Sequence, residues 1–449
     1  MKSLISASII LYFVAPVSAQ AVSWVETQPA NAPTARWAHA MAYDQIRDRT
    51  LVFGGRQVGG AYLGDTWEYN GLDWEQRSPA NAPSPRQHTA AVYDLVNDEI
   101  VLFGGRAQGN ALLADTWTWD GVDWTLKTPA TSPPARRDTT LAYDLARGRV
   151  VLFGGRIGAF TSAAQINDTW EWDGTNWLQI QTANSPSPRS TPLTYDIARG
   201  RIVLFSGTSA NDTWEYDGVD WTQVNPLVSP PARNLHQLAY DLDRSRVVMY
   251  GGNDFSTQID ETWEYDGVTW TQRTPSVAPV ARRQLNDGMV YDFRRKKIVL
   301  FGGISNNGYS NDTWEYGPSQ VLTATPVSIA VATAGTQTFE VNAGLANASS
   351  GYFIVGSFSG TSPGTPLGPL LIPLVADSWS LQSLAVANSA AYPNTLGLLD
   401  ASGRATAAFN MPANLPASFV GMTLSHACIL FDGTGFTGVS NPVNLLFAQ

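Results

Sequence analysis

Three arginines, Arg56, Arg106 and Arg156, each stand directly after a double glycine and recur at intervals of fifty residues. A guanidinium is always charged. Its planar fork of donors matches a carboxylate or phosphate through paired hydrogen bonds. Three such groups in one register suggest a place for an anionic group. The equivalent later positions hold Thr208, Asn253 and Ile304, so the arginines break a regular pattern. Six other arginines belong to the pattern itself: Arg36, Arg86, Arg136, Arg189, Arg233 and Arg282. Recurrence in every copy favours a bridging, structural role, yet these six enter their strands from the same side as the first three. The expected binding set is Arg56, Arg106, Arg156, Arg36, Arg86 and Arg136, with Asn253 and Asp254 beside them.

Other chemistry-bearing residues are sparse. His39 and His236 share a register and His88 is one position off. A metal needs ligands that converge, and these lie in three separate copies, so no metal site is expected. No acid–base pair, nucleophile with a partner, or phosphate loop stands out. No catalytic residue and no cofactor are expected. The single cysteine, Cys428, lies in the apolar run Ala427-Cys428-Ile429-Leu430 and reads as a packing residue. Asn-Asp-Thr at 167, 211 and 311 fits a glycosylation pattern, but it falls at the same place in each copy, which favours a structural reading.

The scaffold that must position these residues is a repeat of about fifty residues. After each recurrent arginine comes a Tyr-Asp pair, from Tyr43-Asp44 to Tyr291-Asp292. Ten residues after each tyrosine an aromatic ends an apolar run: Phe53, Phe103, Phe153, Phe205, Tyr250 and Phe301. A double glycine follows, replaced only by Ser206-Gly207 in the fourth copy. Next come Thr-Trp and, seven residues on, a second tryptophan. The pieces read as four strands, a to d, with the double glycine ending strand b. Asn70-Gly71 and Asp120-Gly121 are hairpin-turn dipeptides between c and d. The sixth copy lacks its second tryptophan. Trp24 lies twelve residues before Arg36, as Trp74 lies before Arg86. Trp24 is therefore expected to complete the sixth copy and close a ring.

This combination resembles the kelch repeat family over residues 24 to 316. The resemblance implies an all-β fold, a six-bladed propeller with a central channel over residues 20–318. It implies no single activity, because kelch propellers include enzymes, sugar-handling proteins and protein-binding modules. Kelch copper-radical oxidases need a cysteine–tyrosine cross-link, and the one cysteine here lies outside the repeats. Sialidase-type propellers carry an arginine triad with Asp-box turns, but the turns here read Asp-Gly-Val-Asp-Trp.

Residues 319–449 differ. They hold five charged residues and short apolar runs between turn signals, which reads as a small β-sandwich-like domain. The stretch Gly397 to Ala405 resembles a C-terminal module of many exported bacterial proteins. At the other end, Lys2, the apolar run Leu4 to Val14 and the small residues Val17-Ser18-Ala19 read as a signal peptide over 1–19. Secretion is the expectation, with no membrane insertion after cleavage. The net charge of −10 argues against nucleic acid as the partner.

The loops locate the site. The a–b and c–d turns are constant in length, whereas the b–c spacing from second glycine to tryptophan runs 12, 12, 15, 7, 11 and 11. Variable loops on a constant scaffold usually carry binding. The expectation is a secreted, monomeric binding or adhesion module for an extracellular protein, a glycan or another anionic molecule. The alternative is a carbohydrate-active enzyme using the channel mouth.

Overall fold

The computed structural model describes residues 22–449 apart from 160–162, 276, 284–287, 319–321, 326–327, 331, 344–348, 360, 362–364, 368–369, 373, 402, 433–434 and 441–442. The signal-peptide expectation lies outside the described residues. The chain divides into two compact units, Val22–Gly317 and the portion from Pro318 onward. No described helix is long and apolar enough to cross a membrane.

The first unit contains one antiparallel sheet per repeat, each in the order a-b-c-d, and the sixth repeat adds a small three-stranded sheet of Arg282–Arg283, Ile304–Ser305 and Gly308–Tyr309. In the third repeat strands a to d are Thr140–Asp144, Arg149–Ile157, Ala164–Trp172 and Trp177–Ile180. The innermost strands neighbour one another in cyclic order, the last, Met289–Asp292, meeting the first, Ala40–Asp44. The unit is a β-propeller.

Neighbouring sheets are joined by one repeated set of bonds. Each d-strand tryptophan donates its indole N–H to the threonine of the preceding repeat's Thr-Trp pair. Trp124 reaches Thr66, Trp177 reaches Thr116 and Trp221 reaches Thr169, each at 2.9 Å. Trp24 makes the same bond to Thr262, and its strand, Val22–Thr27, pairs with Thr313–Pro318 of the sixth repeat. The tyrosine of strand a reaches back in the same way. The Tyr143, Tyr195, Tyr240 and Tyr291 hydroxyls accept backbone N–H groups of the preceding a–b turn. Six apolar clusters fill the spaces between sheets.

The double glycine has a steric reason. Gly54 and Gly55 hold φ of 66° and 100°, a region that costs most residues energy. A Cβ on Gly54 would lie 2.7 Å from the Arg86 carbonyl oxygen of the next repeat. Ser206, the exception, adopts the same left-handed backbone at φ 48°. The glycines do not end strand b in the first three repeats. There they form a bulge, and the strand runs on to Gln57, Ala107 and Ile157. In the last three repeats strand b stops at the aromatic.

The second unit contains a three-stranded sheet and a six-stranded sheet. Phe339, Phe409 and Met411 of the first share one core with Ile354, Leu424, Cys428 and Leu430 of the second. Cys428 is fully buried, and burial pushes its thiol up to about 12. The strand-only expectation for this unit missed a helix, α1, at Ser378–Ala385.

Candidate functional site

The b–c and d–a connections lie at one end of the channel. In repeats one to three strand b runs on into its b–c hairpin, and the bulge at each double glycine carries Arg56, Arg106 and Arg156 onto it; repeat six has a separate short hairpin there, Ile304–Ser305 with Gly308–Tyr309. Bulges commonly re-aim side chains beside sites. Arg56 pairs across to Trp37, Arg106 to Gln87 and Arg156 to Arg137. These partners directly follow the recurrent arginines.

The recurrent arginines themselves are not available at this mouth, which corrects the expectation for Arg36, Arg86 and Arg136. All three are at most 1% exposed. Arg86 meets both oxygens of Asp115, at 2.7 and 2.8 Å, and donates to the Gly104 carbonyl. Arg36 grips Asp65 and Arg136 grips Asp168 identically. The same aspartate accepts the indole N–H of the tryptophan two residues on, as Asp115 does from Trp117 at 2.7 Å. This clamp ties strand a to strand c through a buried guanidinium and a partly exposed carboxylate, so the recurring Asp-Thr-Trp is a scaffold device. Asn253 and Asp254 also serve their own loop. Asn253 accepts from Phe255 N, and Asp254 accepts from Ser256 N and Thr257 N.

What gathers at the mouth is an asymmetric polar cluster. His88 Nδ1 lies 2.7 Å from Asp138 Oδ1, and both side chains are buried. Arg137 contacts the other carboxylate oxygen at 2.6 Å, with Arg156 Nε at 3.6 Å. Burial opposes ionisation of Asp138, but His88, Arg137 and Arg156 together hold its carboxyl below the usual range. The Arg106 guanidinium stands 5.7 Å from the Tyr62 ring centre. The Gln87 amide, turned with its oxygen towards them, accepts from Arg106 and from the Tyr62 hydroxyl. Burial depresses the Arg106 pKa, Tyr62 opposes that effect, and Arg137 adds to it. Trp37 continues the arc, 5.5 Å from the His88 ring and 6.2 Å from Tyr309. Arg156 is the open member, its side chain 40% exposed.

His88 and Asp138 both hold left-handed backbone, φ 60° and 58°. Ala38 and Leu235 occupy the same register with the same twist. The repeat therefore forces the backbone, and repeats two and three use the position to turn polar groups inward. Strained positions of this kind concentrate at functional sites. His39 and His236 are packing residues instead, against Phe301 and Phe205, and burial lowers both to about 3.

The other end of the channel is apolar. A cavity of about 180 Å3 is lined by strand a of all six repeats, including the tyrosines 43, 93, 143, 195, 240 and 291. The hydroxyls of Tyr143, Tyr195, Tyr240 and Tyr291 are occupied by the bonds between repeats, and those of Tyr43 and Tyr93 donate to Asp48 and Asp98 of their own repeats.

A family model for the KLHDC2/KLHL20/DRC7 kelch-repeats domain matches residues 9–132 and, in a second overlapping placement, 68–227. Over residues 9–227 the chain is of the kelch-repeat family. No curated protein matches it significantly. Kelch repeats build β-propeller protein-binding modules, and this kelch propeller is one. Its sheets repeat the motif, whereas its mouth departs from it in repeats one to three.

Proposed function

We propose that this kelch propeller is a secreted binding module that receives an anionic group, such as a carboxylate, of an extracellular protein or glycan. One observation carries the reading. Arg137 and Arg156 contact the single carboxylate of Asp138 at the mouth, and Arg106 stands near enough to feel its charge, so three guanidiniums gather about one carboxylate on a chain whose net charge is −10. An arginine fork in a partly desolvated pocket suits a carboxylate, and local charge can oppose the global sign. The long hairpins of repeats one to three add walls on that side.

The test is an array of acidic and neutral glycans and peptides, followed by titration of the best binder. Acidic ligands should bind, with affinity falling as salt rises. Arg156→Glu should weaken binding at least ten-fold. Arg294→Ala, on an exposed a–b turn at the opposite end, should leave it unchanged. Equal binding of neutral and acidic ligands, or indifference to Arg156→Glu, would overturn the reading. Turnover of a bound glycan would instead favour the enzyme alternative, with His88 and Asp138 as its acid–base pair.

A further inference from the structure

The second unit holds a cavity of about 310 Å3. Its walls include six aromatic rings: Phe358, Trp379, Tyr392, Phe409, Phe419 and Phe447. No charged side chain among the described residues lines it. The rings form two connected walls. Phe358 packs 5.1 Å from Trp379 and 5.8 Å from Phe447, while Tyr392 packs 4.9 Å from Phe409. A bond from Trp379 Nε1 to the Tyr392 hydroxyl, 3.0 Å long, joins them. Helix α1 contributes Trp379, Gln382 and Ser383 to the lining.

Most polar groups around this space are already used. Ser383 donates to Ser380 O and accepts from Gly356 N. Asn410 donates to Ala390 O and accepts from Thr336. Two groups are left over. The Tyr392 hydroxyl accepts from Trp379, yet nothing among the described residues accepts its proton. His426 is fully buried, its ring 6.1 Å from Tyr392 and 5.7 Å from Phe409, and neither of its nitrogens has a partner among the described residues. Its Nε2 and Trp379 Nε1 both face Gly356. A Cβ there would sit 3.1 Å from the first and 3.2 Å from the second, so the glycine leaves that gap open. Buried polar groups without partners are rare in folded proteins and call for an explanation.

We infer that this cavity is a binding site for an uncharged, mainly apolar small molecule. The preferred occupant has one or two rings and a single hydroxyl or carbonyl group. An apolar cavity of roughly 150 Å3 takes benzene, and this one is about twice that volume. Aromatic walls favour a flat ring in offset or edge contact. The absence of lining charge excludes ions. The unused Tyr392 proton supplies the orienting hydrogen bond, in the usual pattern of an apolar site with a few placed polar groups. This site is independent of the propeller mouth and of the function proposed for it.

The test uses the full mature chain, 2-naphthol and 2-fluoronaphthalene, with binding followed by calorimetry and by fluorine NMR. Both probes should bind at one site per chain, 2-naphthol the more tightly. Val386→Trp, which fills the space, should abolish both. Tyr392→Phe preserves the ring and should weaken 2-naphthol about ten-fold while leaving 2-fluoronaphthalene within two-fold. That second variant keeps the test decisive if the first fails to fold. Failure of both probes to bind at millimolar concentration would overturn the assignment, as would 2-naphthol binding unchanged by Tyr392→Phe.

Discussion

The indole N–H of Trp24 donates to the hydroxyl of Thr262 at 2.9 Å, across 238 residues of sequence. Trp24 is 1% exposed and packs 4.9 Å from both Tyr250 and Tyr316. The first strand of the unit thus supplies the outermost strand of the last repeat. Trp24→Ala should cost about 3–5 kcal/mol, the usual range for deleting a buried ring. Trp24→Phe keeps a ring but orphans Thr262, and should cost about 1–3 kcal/mol. Urea unfolding of both, beside Val25→Ala at a half-exposed site, measures this. A Trp24→Ala cost no larger than that of Val25→Ala would refute closure by this strand.

Arg86 and Asp115 test the recurrent clamp. Arg86 is 1% exposed and Asp115 is 27% exposed, so the two deletions should differ. Arg86→Met leaves a carboxylate that water can still reach. Asp115→Ala leaves a buried guanidinium with only backbone and Ser84 contacts. Breaking such a pair costs about 3–5 kcal/mol, and Asp115→Ala should fall at the upper end. A double-mutant cycle should return clear coupling, because the double variant leaves no stranded charge. Additive costs would contradict the clamp.

The propeller was legible in the sequence because each structural bond recurs once per repeat. Arg36, Asp65, Trp67 and Trp74 all take part in bonds that neighbouring repeats copy, so the spacing exposed them together. The twelve-residue spacing from Trp24 to Arg36 even disclosed the exchanged strand. The mouth was harder to read for the opposite reason. His88 and Asp138 share a register with Ala38 and Leu235, so no motif marks them; only the switch from apolar to polar residues at one repeat position does. Gly54-Gly55 resembled a strand end because a bulge and a terminus need the same backbone freedom. Helix α1 is short, but one signal was present. Asp377 Oδ1 accepts from Ser380 N at 2.8 Å, the bond of a helix-starting aspartate.

Gly121 separates backbone preference from crowding. It holds φ 94°, and a Cβ there would lie 2.3 Å from Arg47 Nε of the preceding repeat. Gly109 holds φ 78° with nothing within 4 Å. Gly109→Ala should therefore cost only the left-handed backbone penalty, about 1–2 kcal/mol. Gly121→Ala should cost about 1 kcal/mol more, because it must also displace Arg47 from Asp44 and Asp98. Equal losses in urea unfolding would mean that Arg47 moves aside freely.

Acid should destabilise the propeller before its carboxylates titrate. His39 and His236 are fully buried, and burial lowers each from 6.5 to about 3. The unfolded chain binds these protons near pH 6.5, whereas the folded chain refuses them until about pH 3. Stability from neutral burial is therefore complete above pH 6.5 and is lost as pH falls towards 3. Each histidine adds up to about 1.4 kcal/mol per pH unit in that window. Unfolding free energies at pH 7.5, 6.0 and 5.0 should decline with a slope approaching two protons. His236→Phe, which keeps a ring against Phe205, should reduce that slope by one proton. An unchanged slope in His236→Phe would show that His236 takes up its proton while folded.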